Sequence, residues 1–250
     1  MPQSGMTSFA PPLLAALRGA RMIAVLTGAG VSAESGVPTF RDAQTGLWAK
    51  FDPRELATPE AFARNPKLVW DWYAERRDKV AAVKPNPAHY ALAALEKHTP
   101  ELLLATQNVD GLHQRAGSAN VVELHGNITR VKCSREGTPV LHWDDTAKDE
   151  PPRCPSCGAF LRPDVVWFNE LLPHEAQTAA ESAARRCDVL LVVGTSAEVY
   201  PAAALPEEAL RRGAYVVEVN PNKTPLSADV DYVLRGPAGV LLPALVAATW

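Results

Sequence analysis

The chain has 250 residues, of which 47% are hydrophobic and 21% charged, and this composition excludes a disordered chain and allows a large core. Its 25 basic and 28 acidic residues give a formal net charge of -3. Because these charges are mixed along the chain and form no concentrated basic footprint, we expect no nucleic-acid partner.

The N-terminal segment does not resemble a secretion signal. Its apolar run over residues 11–17 is short and has no basic residue ahead of it, which is typical of an amphipathic first helix. No stretch reaches the roughly 18 apolar residues of a membrane span, so no membrane partner is expected. The four cysteines are too few for a disulfide scaffold at this length. We therefore expect a reduced, cytoplasmic protein.

Four apolar runs rich in Val, Ile and Leu alternate with Ala-, Glu- and Arg-rich helical stretches. They are residues 22–28, 101–108, 187–196 and 214–220. Continuous apolar runs that end in Gly, Thr, Ser or Asn are typical of strands buried on both faces of a parallel sheet. The alternation predicts an α/β protein with a doubly wound, Rossmann-like parallel sheet.

Two regions interrupt this alternation. Residues 41–80 contain Trp and Pro and have helical patterning, whereas residues 129–163 show neither helical nor strand periodicity and are dense in Pro, Cys and charge. We interpret both as insertions that form a second, smaller lobe. The predicted sheet domain then comprises residues 1–40, 81–128 and 164–250.

A glycine-containing turn follows the first predicted strand. Residues 28–33, Gly-Ala-Gly-Val-Ser-Ala, have the form G-x-G-x-x-G/A. Such glycines permit close backbone approach to a pyrophosphate, whose charge the free N–H groups at a helix N-terminus can meet, although a packing turn explains the pattern as well. No acidic residue ends a second strand about 20 residues later, which disfavours an ordinary dehydrogenase.

Polar residues also follow the second predicted strand. Residues 106–110, Thr-Gln-Asn-Val-Asp, stand at its carboxyl end, where amides and a carboxylate can hydrogen-bond ribose hydroxyls and a carboxamide. The alternative is an Asx-type turn. His125 lies at the boundary with the second insertion, and an exposed imidazole there is a candidate general base because its pKa is near the operating pH. A structural histidine is the alternative.

Six segments stand in one order along the chain: GAGVSAESGVPTFRD, TQNVDGLHQRAG, ELHGN, CPSCGAFLRPDVVWFNE, GTSAEVYPAA and VEVNPNKTPLSADVD. In order and rough spacing they resemble those of the sirtuins, the NAD-dependent protein-lysine deacylases, over about residues 20–245. The resemblance implies that NAD is consumed as a co-substrate and that the partners are acyl-lysine proteins or peptides. We expect a monomer.

The resemblance also implies roles for residues at matching positions. His125 matches the catalytic histidine, and Asn108 and Asp110 match the nicotinamide-pocket pair, which we count as catalytic as well. The other residues that resemble contacts to NAD are Gly28, Ala29, Gly30, Phe40, Arg41, Gln107, Gly194, Thr195, Ser196, Asn220 and Ala238.

The implied mechanism begins when the acyl-lysine amide oxygen attacks C1′ of the nicotinamide ribose and nicotinamide leaves through an oxocarbenium-like state. His125 then deprotonates a ribose hydroxyl that attacks the resulting imidate, and water completes the release of lysine and O-acyl-ADP-ribose. A mono-ADP-ribosyltransferase, in which another nucleophile captures the oxocarbenium, is an alternative. A non-catalytic NAD-binding module is disfavoured because it would tolerate loss of His125.

Val165, Val166 and Phe168 resemble the segment that pairs with an extended substrate peptide by strand addition. The next residue, Asn169, stands where most sirtuins have Gly. A side chain there can restrict the backbone or the approach of a peptide, so we expect some peptides to bind less well.

Sirtuins usually hold a structural zinc ion with two Cys-x-x-Cys pairs. Here Cys154 and Cys157 form one pair, but the other retains only Cys133. The zinc-ribbon-like segment therefore either binds zinc through these three thiolates and a fourth ligand or has lost the metal. The acceptable fourth ligands nearby are Glu136, His142, Asp144 and Asp145.

Tyr73 and Arg76 are three residues apart in a predicted helix. Sirtuins that prefer acidic acyl groups carry Tyr-x-x-Arg there and a small pocket residue, matched by Ala57, and this chain has Thr39 where many deacetylases have Asp. Residues at i and i+3 share a helix face, and a guanidinium fork matches a carboxylate. We predict faster removal of succinyl or malonyl than of acetyl groups; a plain lysine deacetylase is the alternative.

Overall fold

The computed structural model describes residues 8–37, 52, 56–144 and 150–250. Its strands are β1 Met22–Thr27, β2 Glu101–Thr106, β3 Val121–Glu123, β4 Gly126–Cys133, β5 Pro139–Val140, β6 Leu161–Val165, β7 Val189–Val193, β8 Tyr215–Val219 and β9 Tyr232–Leu234. Its helices are α1 Pro11–Gly19, α2 Gly30–Ala33, α3 Pro59–Arg64, α4 Pro66–Ala82, α5 Pro87–Leu95, α6 Leu112–Arg115, α7 His174–Arg186, α8 Ala204–Arg211 and α9 Ala238–Thr249, with a 3-10 turn over Pro225–Ala228.

The larger sheet has six parallel strands in the order β3-β2-β1-β7-β8-β9. Along β1, Ile23 and Val25 face a core shared with α1, α5 and α9, while Ala24 and Leu26 face a core shared with α7 and α8. Both faces are therefore buried, which explains the continuous apolar runs. The predicted doubly wound α/β fold is confirmed, and the four runs contain β1, β2, β7 and β8.

The smaller sheet is antiparallel, with the order β5-β4-β6. It lies largely in residues 129–163, the predicted zinc-ribbon-like segment, although the sequence there shows no strand periodicity. The pairing of β4 with β6 shifts register between Asn127 and Val131, and Pro, Cys and charged residues interrupt the alternation. A strand whose register shifts does not show a simple two-residue period.

Helix α4 is fixed against the smaller sheet. It begins at Pro66, and the Asn65 side chain caps it by accepting a hydrogen bond from Leu68 N at 3.1 Å. Its buried face, which includes Trp72 and Tyr73, packs in one cluster with residues of β4 and β6. Helix α4 therefore holds its position by tertiary packing. The domain boundaries predicted above stay a prediction.

Within the described ranges, no helix is both long enough and apolar enough to span a bilayer.

Candidate active site

A cleft of about 700 Å³ lies at the carboxyl edge of the larger sheet, facing α4 and the smaller sheet. This is where doubly wound folds bind ligands, beside the neighbouring strands β1 and β7, from which the strand order runs in opposite directions. The cleft brings together the following residues singled out in the sequence: Gly28, Ala29, Gly30, Ala57, Tyr73, Arg76, Gln107, Asn108, Asp110, His125, Val165, Val166, Phe168, Gly194, Thr195, Ser196 and Asn220.

Among the described residues that match contacts to NAD or to the acylated substrate, Ala238 does not line the cleft. Ala238 begins α9 and is buried in the core of the larger sheet. Thr39, Phe40 and Arg41 lie outside the described residues.

The glycine turn after β1 packs directly on the turn after β7. Gly28 N donates to Val193 O at 3.0 Å and Gly30 N donates to Gly194 O at 2.8 Å. A Cβ on Gly30 would lie 2.7 Å from Gly194 O, so glycine is required by packing within the protein. Of the N–H groups at the N-terminus of α2, the one on Gly30 is therefore not free for a pyrophosphate, contrary to expectation.

Asn108 and Asp110 are held by a buried serine. The Asn108 amide donates to Ser32 Oγ at 3.1 Å, and Ser32 Oγ donates to Asp110 Oδ2 at 2.7 Å. The other Asp110 oxygen accepts from Leu112 N at 2.9 Å, and burial raises the pKa of Asp110. Both side chains are therefore fixed before any ligand enters.

Two buried histidines stand behind this serine, with ring centroids 4.8 Å apart. His89 Nδ1 accepts from Asn86 N, so its Nε2, 3.4 Å from Ser32 Oγ, carries the proton. Nε2 of His113 lies 2.9 Å from Thr27 Oγ1. Burial lowers the pKa of His89 to about 4 and that of His113 to about 3, so both rings are neutral at pH 7. Sequence reasoning assigned neither of them a role.

His125 lies between the two sheets, half-buried in the cleft. Its Nδ1 is 2.9 Å from the Gln107 carbonyl oxygen. Because a carbonyl only accepts, Nδ1 carries the proton and Nε2 is left as the basic nitrogen. Burial lowers the pKa of His125, so the expectation of an exposed imidazole with an ordinary pKa is wrong. The ring is neutral, and therefore basic, at pH 7.

The glycine after this histidine is required by the smaller sheet. Gly126 has φ 77°, and a Cβ on it would lie 2.1 Å from Asp164 O on β6. Glycine thus allows β4 to start pairing with β6 immediately after His125. This pairing ties the position of the imidazole to the smaller sheet.

The α4 side of the cleft presents the cation of Arg76, which is stacked on a ring of the same helix. Among the described residues, the Arg76 guanidinium makes no hydrogen bond and no ion pair. It lies 4.9 Å from the Trp72 ring centroid, and burial lowers the pKa of Arg76. A half-buried guanidinium that lacks hydrogen-bond and ion-pair partners is stabilised best by an anion that enters the cleft.

Tyr73 and Ala57 shape the wall next to this cation. The Tyr73 ring is buried between Trp72, at a centroid distance of 4.6 Å, and Trp167, at 6.3 Å. Burial raises the pKa of Tyr73, so its hydroxyl stays protonated and can donate a hydrogen bond. Ala57 is small and buried, and its carbonyl accepts from Phe168 N at 2.9 Å. At this position of the cleft wall, a small side chain takes up less of the cleft than a bulky one would.

The segment after β6 is held in place by an ion pair. The Arg162 guanidinium donates to both oxygens of Glu170, at 2.6 and 2.8 Å, and Glu170 also accepts from Trp167 N at 2.9 Å. Asn169 has φ 70°, the left-handed conformation that asparagine tolerates better than most residues. The backbone thus has the conformation that a glycine would take there.

Three thiols and one carboxylate converge in the smaller sheet. The ligand atoms of Cys133, Glu136, Cys154 and Cys157 lie within 4.8 Å of one another, and Cys133 Sγ is 3.4 Å from Cys157 Sγ. Tetrahedral zinc with Zn–S bonds of about 2.3 Å needs sulfur separations of about 3.8 Å, so the set fits one zinc ion. Backbone N–H groups lower the pKa of Cys154, which favours its thiolate.

Of the other fourth-ligand candidates, His142 and Asp144 do not belong to this group in the described part of the chain. Asp145 lies outside the described residues.

Comparison with known proteins agrees with this geometry. A family model described as the Sir2 family matches residues 28–201. A protein from Ralstonia nicotianae named NAD-dependent protein deacylase is 56% identical over 231 residues, covering 92% of this chain and 93% of the relative. The solved structure of a Sir2 homolog–NAD complex matches with a TM-score of 0.91 and 45% identity, over 97% of this chain and 94% of the other. A Sir2–p53 peptide–NAD+ structure matches with a TM-score of 0.84 and 30% identity, over 96% and 98%.

Proposed function

This chain belongs to the Sir2 family, and from that premise we propose that it is an NAD-dependent protein-lysine deacylase that removes succinyl or malonyl groups faster than acetyl groups. The deacylase activity is supported by the name of the relative from Ralstonia nicotianae and by structural neighbours that hold NAD and a peptide. The acyl preference is supported by one observation above all: the Arg76 guanidinium lines the cleft and makes no hydrogen bond or ion pair with the described residues.

The preference follows from the energetics of this cation. The free-energy cost of partly desolvating a half-buried guanidinium is offset only when an anion binds to it. A succinyl or malonyl carboxylate provides that anion. A charge-assisted hydrogen bond is worth about 1.5 to 3 kcal/mol, more than a neutral one. The protonated hydroxyl of Tyr73 is a second donor on the same helix face, and Ala57 leaves room for the longer acyl group. An acetyl group ends in a methyl group and has no terminal carboxylate to meet these donors.

On the opposite wall, the described residues of the glycine turn and of the strand ends bind NAD in this proposal, with Asn108 and Asp110 at the nicotinamide. When bound, NAD supplies the ADP-ribosyl group that accepts the acyl group as nicotinamide leaves. The serine that bonds both side chains presents them in one fixed orientation. Preorganised polar groups lower the reorganisation that binding would otherwise need.

His125 is the general base in this proposal. Its Nδ1 proton is engaged by the Gln107 carbonyl, so Nε2 accepts the proton of a ribose hydroxyl. The lowered pKa of His125 keeps Nε2 free at neutral pH. The substrate peptide lies along Val165, Val166 and Phe168, which brings its acyl-lysine toward this nitrogen.

The smaller sheet holds a structural zinc ion in the same proposal, with Cys133, Cys154, Cys157 and Glu136 as its ligands. The ion would tie β4 to the loop that precedes β6 and takes no part in catalysis. Metal analysis of the purified protein should find about one zinc per chain, and Glu136→Ala should lose metal to a chelator faster than the parent. Equal zinc retention in both proteins would exclude Glu136 as a ligand.

The acyl preference is tested with matched malonyl-, succinyl- and acetyl-lysine peptides. We expect the parent to favour succinyl by at least about tenfold in kcat/KM, and Arg76→Met to lower the succinyl value by about 10- to 100-fold. The acetyl value should change by less than about threefold, because acetyl makes no ionic contact. Arg76→Lys, which keeps the charge but loses the fork, should lie between.

Lys67→Met is the matched control for these variants, since Lys67 lies on the same helix but does not line the cleft. Product masses complete the test: O-acyl-ADP-ribose marks deacylation, whereas a gain in mass of an acceptor protein marks ADP-ribosyl transfer. A parent that prefers acetyl, or an Arg76→Met variant that spares desuccinylation, would overturn the acyl preference.

A further inference from the structure

A single carboxylate lies beside the short segment that carries the proposed base. Glu123 ends β3 and Gly126 begins β4, so the chain crosses from the larger to the smaller sheet within residues 124–126, with His125 in the middle. Glu123 is not among the described residues that line the cleft, and its side chain is only 12% exposed. Any effect of Glu123 on the reaction therefore passes through its neighbours.

The Glu123 carboxylate bonds to groups on both sides of this crossing. Its Oε1 accepts from Asn127 Nδ2 at 2.6 Å and from Gln114 Nε2, on α6, at 2.8 Å. Its Oε2 lies 2.7 Å from the Arg130 guanidinium on β4. Because Glu123 and Asn127 flank the crossing, their hydrogen bond holds its two ends together.

Asn127 is itself fixed within the smaller sheet. Its Oδ1 accepts from Thr129 N at 2.9 Å and from Thr129 Oγ1 at 2.7 Å, while its Nδ2 group donates to Glu123. Asn127 is buried, so its amide donor needs a partner. Without the carboxylate, Nδ2 loses this bond, and a shift of the crossing that brings Nδ2 to another acceptor or to water becomes favourable.

The imidazole depends on where the backbone of this crossing lies. His125 O accepts from Val166 N at 2.9 Å, and Nδ1 is 2.9 Å from the Gln107 carbonyl oxygen. A shift of the crossing would lengthen the Nδ1 bond and displace Nε2. A misplacement of about 1 Å in a reacting group can lower a rate by about 100-fold.

We propose that Glu123 is a positioning residue for His125, which acts through its hydrogen bond to Asn127 and makes no contact with NAD or the acyl peptide. This inference rests on the proposed function, because it requires that His125 is the general base. In that mechanism nicotinamide leaves before His125 acts. Loss of Glu123 should therefore impair the later step and spare the earlier one, whereas a general loss of cleft structure would impair both.

The first test measures the two steps separately in Glu123→Met, which keeps the length of the side chain and removes both oxygens. Exchange of isotope-labelled nicotinamide into NAD, with the acyl peptide present, reports the earlier step, and formation of O-acyl-ADP-ribose reports the whole reaction. We expect product formation to fall by about 10- to 100-fold and exchange to change by less than about threefold. Glu101→Gln, which alters a paired glutamate at the opposite edge of the larger sheet, is the control and should change neither.

The second test reverses the polarity of the hydrogen bond. Asn127→Asp keeps the acceptor for Thr129 but places a second carboxylate oxygen against Glu123, so product formation should fall by at least about tenfold. Adding Glu123→Gln gives the pair a donor again and should restore product formation to within about threefold of the parent. Glu123→Gln alone keeps one acceptor oxygen and should also stay within about threefold. These variants decide the question even if Glu123→Met fails to fold.

The outcomes separate this inference from the proposed function. Parallel loss of exchange and product formation in Glu123→Met would show that the carboxylate supports the cleft as a whole, and would overturn the proposal, as would a double variant no better than Asn127→Asp. If His125→Ala lowers product formation but Glu123→Met leaves it at the parent rate, the Glu123 inference alone fails. If His125→Ala leaves product formation unchanged, the proposed base is wrong and this inference fails with it.

Discussion

The two walls of the cleft are built in opposite ways. On the sheet-edge wall, formed by residues that follow the strands of the larger sheet, Asn108, Ser32 and Asp110 satisfy one another. On the helix wall, formed by α4, the Arg76 guanidinium finds no hydrogen-bond partner within the described chain. Side chains that already satisfy one another are preorganised for a ligand that is used in every turnover, as NAD is in this proposal. The Arg76 guanidinium is instead stabilised only by a ligand that carries a negative charge. Changes to the sheet-edge wall should therefore affect all acyl substrates equally, and changes to the helix wall should depend on acyl chemistry.

The largest expected effect is that of replacing His125, the proposed general base, which lies where the two walls meet. His125→Ala should lower kcat/KM by at least about 100-fold for succinyl- and acetyl-lysine peptides alike, because general base catalysis contributes roughly 10²- to 10⁴-fold. Nicotinamide and O-acyl-ADP-ribose would be quantified by mass spectrometry. His98→Ala, which removes a histidine stacked on Trp250 away from the cleft, is the control. A fall in kcat/KM for only one of the two acyl peptides would contradict this contrast between the two walls.

The next effect tests whether the sheet-edge wall acts as a unit. Ser32→Ala removes the hydroxyl that bonds both Asn108 and Asp110, and it leaves two buried polar groups without this partner. An unsatisfied buried group costs about 1 to 3 kcal/mol, so kcat/KM for NAD should fall by roughly 10- to 100-fold. Initial rates at varied NAD concentration would measure it. The factor should be the same with either acyl peptide, and a succinyl-specific loss would break the assignment of this wall to NAD.

A smaller effect concerns pH. Burial lowers the pKa of His125, so the base becomes protonated, and kcat/KM falls, only as the pH drops below the ordinary value of about 6.5. The Arg76 guanidinium keeps its charge throughout this range, so the succinyl-to-acetyl ratio should stay constant between about pH 6 and 8. Rate profiles with both peptides would show this. If kcat/KM falls on the acid side with a midpoint above pH 6.5, or if the succinyl-to-acetyl ratio changes with pH in parallel, the assignment of His125 as the base is contradicted.

The smallest effect is expected at Asn169, beside the proposed peptide segment. Since Asn169 already has the left-handed conformation that glycine favours, Asn169→Gly should change the peptide KM by less than about threefold and stability by only a few tenths of a kcal/mol. Asn169→Val should be worse on both measures, because a β-branched residue resists this conformation. Peptide titrations and urea unfolding would measure the two effects. A large gain in affinity with glycine would show that the asparagine side chain obstructs the peptide.

Much of this architecture could be predicted from the sequence. The four apolar runs predicted the parallel sheet because strands buried on both faces leave an uninterrupted signal. The motifs and the family resemblance singled out residues that follow those runs, and many of them line the described cleft, since parallel strands bring their carboxyl ends to one edge. Tyr73 and Arg76 were placed on one face by helix spacing alone.

The rest depended on tertiary contacts that leave no local pattern. The sequence pattern did not locate the strands of the smaller sheet, because the register shift removes the simple strand period. The buried pair His89 and His113 was missed because nothing near either residue in sequence shows that the rings meet behind Ser32. The sequence also did not show that Gly28 N bonds to Val193 O at the end of β7 and that Gly30 N bonds to Gly194 O just after it. Such non-local partners become visible only in the folded chain.

The central claim, that the helix wall recognises a carboxylate, is tested most directly by removing the charge from the substrate and leaving the protein intact. Two peptides would be compared, one carrying succinyl-lysine and one in which the terminal carboxylate is replaced by an isosteric carboxamide. We predict that kcat/KM for the succinyl peptide exceeds that for the carboxamide by at least about tenfold, and that Arg76→Met removes the difference. Equal values for the two peptides in the parent enzyme would contradict the claim.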